Sequence, residues 1–296
     1  ELISILKDSA EKAGVTIYTE TAATSLLANE NGKIVGATAQ KVNGTNITIN
    51  VTNGVVLASG GYCANPTMVK EYDNYWGDSL SSHMLTTNVG TNKGDGIVMA
   101  TAVGADTTGL EIVQMMPSSS PVKGTMTDGI WGDASQQIWI DGEGNRFVNE
   151  YAERDVLSKA ALKQTDGIFY IICDNKIAKN ADVAGMEAKG NVVVADTLEE
   201  LAEKLGIPAD TFVETIERYN SFVDAQKDDD FGKPLFGEKI DEAPFVATPR
   251  SPSLHHTMGG VKIDTNTHVI STEGSVIDGL YAAGEVTGGL HAGNRL

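Results

Sequence analysis

Two glycine-rich junctions carry the first chemical signal. The apolar run Val55-Val56-Leu57-Ala58 ends in Ser59-Gly60-Gly61, and Gly94-Asp95-Gly96 opens onto Ile97-Val98-Met99-Ala100. The first reads as a buried strand whose backbone comes close to something at its carboxyl end, where open α/β sheets bind ligands. The second reads as a helix N-terminus, whose free N–H groups suit an anion or a hydroxyl. Toward the other end, the tandem His255-His256, the pair Gly284-Glu285 and Arg295 add donors, an acidic acceptor and a planar cation. Other candidates have ordinary readings when taken alone. Arg154-Asp155 has the pattern of a helix-end ion pair, Met115-Met116 that of core filler, and His255 suits a core as well as a ligand. Cys63 and Cys173 lie far apart in apolar stretches and read as core, which argues against a metal site or a disulfide framework.

The elements that must hold these residues follow from periodicity and turn signals. Residues 1 to 14 form a helical pattern with no signal-peptide core. Short strand-like runs follow at Val15 to Tyr18, Ala23 to Ala28, Lys33 to Val42, Thr45 to Val51 and Gly54 to Ala58, with Asn43-Gly44 predicting a two-residue hairpin turn. Further strands are expected at Gln137 to Asp141 and Ile168 to Cys173, and helices at Val156 to Leu162 and Phe212 to Phe222. Thr197 and Glu200 make a capping box for a helix through Leu205. The charge run Lys227 to Asp230 reads as a solvated loop. The simplest layout is a cofactor lobe drawn from residues 1–110 and 256–296, interrupted by a cap over 111–255.

At 296 residues, with 41% hydrophobic and 21% charged, the chain has the make-up of a globular protein. It is long enough for two packed lobes. No apolar run approaches the roughly 20 residues of a membrane helix. A net charge of -18 argues against nucleic acid as a partner. An anionic substrate would need a local cationic pocket set against that field.

Several longer strings carry a family resemblance. They are Val56-Leu57-Ala58-Ser59-Gly60-Gly61-Tyr62, Lys93-Gly94-Asp95-Gly96, Gly144-Asn145-Arg146-Phe147-Val148-Asn149-Glu150 with Glu153-Arg154-Asp155, His255-His256-Thr257-Met258-Gly259-Gly260-Val261, and Gly284-Glu285-Val286-Thr287-Gly288-Gly289-Leu290-His291-Ala292-Gly293-Asn294-Arg295-Leu296. In order and spacing they resemble the soluble, FAD-dependent fumarate reductases of the flavocytochrome c type. The similarity spans essentially the whole chain, and the last two strings together are highly specific.

The resemblance implies an α/β fold, a Rossmann-like FAD-binding lobe with an inserted α+β capping domain and the active site between them. It implies FAD as cofactor, held by Gly60, Gly61, Asp95, His255, Gly284, Glu285 and Asn294. It also implies that His256 and Arg295 bind the substrate carboxylate and that Arg154 donates the proton. The chemistry fits that assignment. Reducing an activated alkene needs a hydride at one carbon, a proton at its neighbour and a carboxylate held by donors, and a guanidinium forks onto a carboxylate. Thr127 and Asp128 match a Thr-Glu pair whose acid relays protons toward the arginine. Met116 stands where the family has a histidine gripping a second carboxylate, and Trp131 where it has the relay's second arginine. A thioether donates no hydrogen bond, which argues against fumarate itself and leaves room for a bulkier or aromatic acid.

The expected function is therefore FAD-dependent reduction of the C=C bond of a small α,β-unsaturated carboxylate. Electrons would arrive from a separate haem or flavin domain or protein. A dehydrogenase of ketosteroid or amino-acid-oxidase type, and a purely structural or binding role, are the alternatives. The family's first element, a strand followed by Gly-x-Gly-x-x-Gly, is missing from this sequence, as is the Gly-Gly-Asn that would follow Leu296. The polypeptide is accordingly expected to be truncated at both ends and to bind FAD weakly or not at all by itself.

Overall fold

The computed structural model describes residues 2–81, 84–291 and 295. The chain opens with α1 (Leu2–Lys12), β1 (Thr21–Ala28), β2 (Ile34–Lys41), β3 (Asn46–Asn50), β4 (Val55–Leu57), α2 (Pro66–Tyr72) and α3 (Asp95–Ala102). It continues through β5 (Thr107–Thr108), β6 (Val113–Ser119), β7 (Ile138–Ile140), α4 (Arg154–Leu162), β8 (Phe169–Cys173), α5 (Asn175–Ala178) and α6 (Val183–Glu187). The remaining elements are β9 (Val193–Ala195), α7 (Leu198–Leu205), α8 (Ala209–Ala225), β10 (Phe245–Thr257), β11 (Gly260–Val261), β12 (His268–Ile270) and β13 (Val276–Ala282). Among the described residues, no helix is long and apolar enough to cross a membrane.

The chain forms two compact units that interleave along the sequence. One comprises Glu1–Ser59, Asp95–Thr107 and Val261–Thr287, and the other Gly60–Gly94, Thr108–Gly260 and Gly288–Leu296.

In the first unit, β1, β2 and β3 form the antiparallel meander that the turn signals predict. The Asn43-Gly44 turn is longer than expected. The Lys41 N–H donates to the Thr45 carbonyl at 2.9 Å and the Gly44 N–H to the Lys41 carbonyl at 2.8 Å, which leaves three residues in the loop. Gly44, at φ +84°, supplies the left-handed position that closes it. The expected strand at Val15 to Tyr18 does not form, and Val15, Ile17 and Tyr18 lie exposed in irregular chain. An apolar run becomes a strand only where a partner supplies the ladder hydrogen bonds. A second sheet has the order β12-β13-β4, with β13 antiparallel to β12 and parallel to β4.

The second unit is built on a five-stranded sheet in which β6, β10, β8 and β7 lie side by side and β9 also pairs with β10. β10 is the long central strand. Its first half pairs with β8 and β9, and its second half, past a bulge, pairs with β6. Both faces of the sheet are covered. Ile138, Ile140 and Ala247 pack with Leu201, Phe212 and Ile216 of α7 and α8, whereas Trp139 and Phe169 pack with Leu157 and Ala161 of α4. Alternate residues of one strand thus enter different cores, and so Ile138-Trp139-Ile140 reads as a continuous apolar run.

A buried charge network braces the segment between β7 and α4. Arg146 donates two bonds to Glu150, at 2.8 and 2.7 Å, and its Nη1 lies 2.8 Å from Asp228. Lys233 Nζ donates to the Gln137 carbonyl at 2.6 Å and to Tyr219 Oη at 3.0 Å, and lies 3.6 Å from Glu150. Asp228 belongs to the run expected to be a solvated loop, yet its side chain is fully buried on Arg146. Burial pushes the Lys233 ammonium down to about 8, against the opposing charge of Glu150. At pH values between about 8 and 10.5 the unfolded chain holds a proton that the folded chain has released, so stability rises with pH across that window. The rise amounts to about 3 kcal/mol, and below it both forms are protonated and the contribution is flat. Urea unfolding across this window is expected to show the slope in the native sequence and to lose it in Lys233→Met.

Candidate active site

Gln114 is the residue around which the expected substrate groups gather. It lies on β6, is 2% exposed, and stands directly opposite His256 in the register of β6 with β10. Its Oε1 accepts from Arg154 Nη1 at 3.3 Å, and its Nε2 donates to the Arg295 backbone carbonyl at 2.6 Å. Opposed residues of an antiparallel pair share a face with Cβ atoms about 5 Å apart. Gln114 thus bonds the Arg154 guanidinium and the Arg295 backbone carbonyl, and it shares a face of the sheet with His256. The His256 and His291 rings meet edge-on at 5.6 Å.

The electrostatics of this cluster favour an anion. Arg154 is the first residue of α4, after the cap residue Glu153, where a cation opposes the helix dipole. Burial, and then the charge of Arg295, lower its pKa. Two cations close enough for one to lower the pKa of the other repel, and a carboxylate beside them removes that repulsion. Ser158 Oγ donates to the Arg154 carbonyl at 2.6 Å, and Tyr75 Oη to Asp155 Oδ2 at 2.6 Å, so the Arg154 backbone and the side chain of the next residue are held. A cavity of about 460 Å³ also opens near the start of α4, but Glu111, Glu153 and Asp155 line it and suit it poorly to an anionic substrate.

Met116 lies on the same face of β6 as Gln114, two residues on, and its sulfur accepts from Ser118 Oγ at 3.9 Å. Thr127 is exposed in the connection between β6 and β7. Asp128 is engaged by Arg250, whose Nη1 lies 3.1 Å from its carboxylate and whose Nη2 donates to its carbonyl at 2.8 Å. Burial would raise the Asp128 carboxyl, but hydrogen bonds from Thr125 and Arg250 outweigh it and hold it below the ordinary range. The Arg250 guanidinium sits 4.7 Å from the Trp131 ring centre, so the tryptophan is a platform for the cation that pairs with Asp128.

The expected cofactor residues fall in both units. In the first unit β4 and β13 run parallel, with the Ala283 N–H donating to the Leu57 carbonyl at 2.9 Å. Ser59 and Gly284-Glu285 therefore leave the sheet at one end, the carboxyl end of two adjacent parallel strands. The start of α3 joins them, since a Cβ on Gly96 would lie 2.1 Å from Ser59 Oγ, with Asp95 as the first helical residue. Gly284 has φ +82°, and the space where a Cβ would sit is open. Such a cradle of bare backbone, helix N-terminus and the carboxylates of Asp95 and Glu285 fits the phosphates and hydroxyls of a dinucleotide.

In the second unit a Cβ on Gly60, at φ +76°, would come within 2.7 Å of Asn92 Oδ1. The Gly61 carbonyl accepts from the Gly94 N–H at 3.0 Å. Asn92 Nδ2 donates to Asn88 Oδ1 at 2.6 Å, and Asn88 Nδ2 to the His255 carbonyl at 2.7 Å. His255 Nδ1 lies 2.6 Å from Thr87 Oγ1. Asn294 lies outside the described residues.

Gln114, Arg250, Asn88 and Asn92 were not singled out from the sequence. Gln114 had a faint signal, as a lone polar residue inside the apolar strand Val113-Gln114-Met115-Met116. Arg250 and the asparagines had none, because their partners are supplied by distant segments.

The sequence matches the FAD binding domain family over residues 1–296. It is 45% identical over 302 residues to an NADH:acrylate oxidoreductase of Vibrio harveyi, a match covering all of this chain and 30% of the relative. It is 34% identical over 297 residues to a fumarate reductase (cytochrome) of Shewanella frigidimarina, covering all of this chain and 51% of that protein. Among solved structures, the open conformation of a flavocytochrome c3 fumarate reductase superposes with a TM-score of 0.82 at 33% identity, over all of this chain and 51% of the other. The chain thus spans about half or less of the length of these relatives.

Proposed function

The chain belongs to the FAD binding domain family, whose cofactor is FAD, and from that premise we propose that it reduces the C=C bond of a small α,β-unsaturated monocarboxylate. The observation that carries this is the gathering of Arg154, His256 and Arg295 around Gln114. His256 and Arg295 hold the substrate carboxylate. Gly60, Gly61, Asp95, His255, Gly284, Glu285 and Asn294 would hold FAD, which, once reduced by the electron donor, would supply hydride chemistry at the β-carbon. Arg154 delivers the proton to the α-carbon from its guanidinium, whose lowered pKa makes it a better acid than an arginine in water. Gln114 orients that guanidinium through Oε1 without itself titrating.

The substrate class follows from Met116, which offers a thioether where a second carboxylate would need donors, and it agrees with the acrylate activity in the name of the Vibrio harveyi relative. The electron donor is a separate haem or flavin domain or protein. We assign the cofactor lobe to residues 1–110 and 256–296 and the cap to 111–255, a division that differs from the two compact units chiefly at 60–94 and 288–296.

The test is a screen of enoates with the full-length, FAD-loaded protein and reduced viologen as donor. Acrylate is expected to be reduced at least about tenfold more efficiently than fumarate, as for a site lacking the donors that a second carboxylate requires. Efficient turnover of fumarate alone would remove the monocarboxylate reading. Oxidation of saturated acids in preference to reduction of enoates would move the activity to the dehydrogenase direction.

A further inference from the structure

Ser253 has a buried hydroxyl with no hydrogen-bond partner among the described residues, although the side chain is 1% exposed. A hydroxyl left in that state costs about 1–3 kcal/mol, and such an orphan in a folded protein calls for a cause. Its place supplies one. Ser253 stands directly opposite Met116 in the register of β6 with β10, one residue pair from Leu254 opposite Met115, and a bulge then brings His256 opposite Gln114. Residues 114 and 116 share a face of β6, while Met115 and Leu254, both fully buried, occupy the other. Gln114, His256, Met116 and Ser253 therefore form one continuous patch. The separation of its two ends is two residues of strand, roughly 7 Å, comparable to the span of a four-carbon chain between its terminal heteroatoms.

Resting on the proposed enoate reduction, we infer that Ser253 is a specificity-determining residue, recognising one neutral hydrogen-bonding group on the β-carbon of a monoanionic enoate. With the carboxylate held by His256 and Arg295, the far end of the molecule meets Met116 and Ser253. Met116 has its sulfur occupied by Ser118 Oγ and presents hydrocarbon. Ser253 presents one donor and one acceptor without charge. That pair suits an amide, an ester or a hydroxyl. It does not suit a second carboxylate, because a buried anion needs a cation or several donors.

The experiment compares the full-length, FAD-loaded protein with its Ser253→Ala variant on fumaramate, monomethyl fumarate, crotonate, acrylate and fumarate. It also includes equilibrium titration with the saturated amide succinamate, which requires no turnover. Ser253→Ala is expected to lower kcat/KM for fumaramate about tenfold, the equivalent of one neutral hydrogen bond, and to leave crotonate unchanged. Succinamate binding is expected to weaken by the same factor. The thermal midpoint is expected to hold or rise, since the hydroxyl lacks an internal partner; a fall would reveal one and overturn the inference. Equal loss on fumaramate and crotonate, or no loss on either, overturns it too. If the native protein reduces no enoate, the activity reading fails, and the titration still decides Ser253: unchanged succinamate affinity in the variant refutes the contact.

Discussion

Arg154→Ala is expected to lower kcat for enoate reduction by about 10³-fold, with flavin content unchanged. General-acid groups contribute about 10²–10⁴, and this one also adds positive charge beside the carboxylate that His256 and Arg295 hold. Its pKa is lowered first by burial and second by Arg295, so removing it relieves repulsion in the ligand-free protein while taking away the proton. Arg154→Lys separates the two roles. It restores a positive charge near Arg295 but not the planar fork that donates to Gln114 Oε1, so KM is expected to recover more than kcat. Stopped-flow measurement of flavin reoxidation by substrate reads the step directly. Near-normal rates in Arg154→Ala would remove the residue from the chemistry, whatever happened to binding.

The largest stability effect is expected at Glu150. Its side chain is fully buried, takes both bonds of the Arg146 fork, and lies beside the fully buried Lys233. Glu150→Ala leaves Arg146 with Asp228 alone and Lys233 without a carboxylate, and breaking a buried pair from one side costs about 3–5 kcal/mol. Loss at this brace would also free the connection that leads to Arg154, so activity should fall at temperatures below the global melting transition. Arg218→Ala is the contrasting control. That arginine also makes a two-bond pair, with Asp230, but it is solvent-exposed, and its loss is expected to leave the unfolding midpoint within error. Urea titrations of the two variants side by side test the distinction, and equal effects would mean that burial is not what gives the network its weight.

Several features were legible before any coordinates. The helix over Val156 to Leu162, which in the structure begins two residues earlier at Arg154, the capped helix after Thr197, the three-stranded meander and the strand ending at Cys173 follow from local periodicity and punctuation. Thr197 Oγ1 accepts from the Glu200 N–H at 3.1 Å, as expected of the cap. The Glu200 carboxylate, however, accepts from the Asp196 N–H at 3.2 Å, one residue earlier than a capping box requires. Where local signals misled, a distant partner was the cause. Val15 to Tyr18 had the composition of a strand and found no ladder, while Asp228 had the surroundings of a solvated loop and was drawn under by Arg146.

The sequence by itself determined most of the element types, the glycine junctions and the family, because each is encoded in contiguous residues whose backbone preferences act over a few positions. The tertiary structure alone decided which side chains share a face. The pairing of β6 with β10 joins segments distant in the chain and contains two register shifts, and a displacement of one residue would turn every side chain to the opposite side. Only with that register settled does Gln114 meet Arg154 and Arg295, Asp128 go to Arg250, and the Ser253 hydroxyl stand opposite Met116.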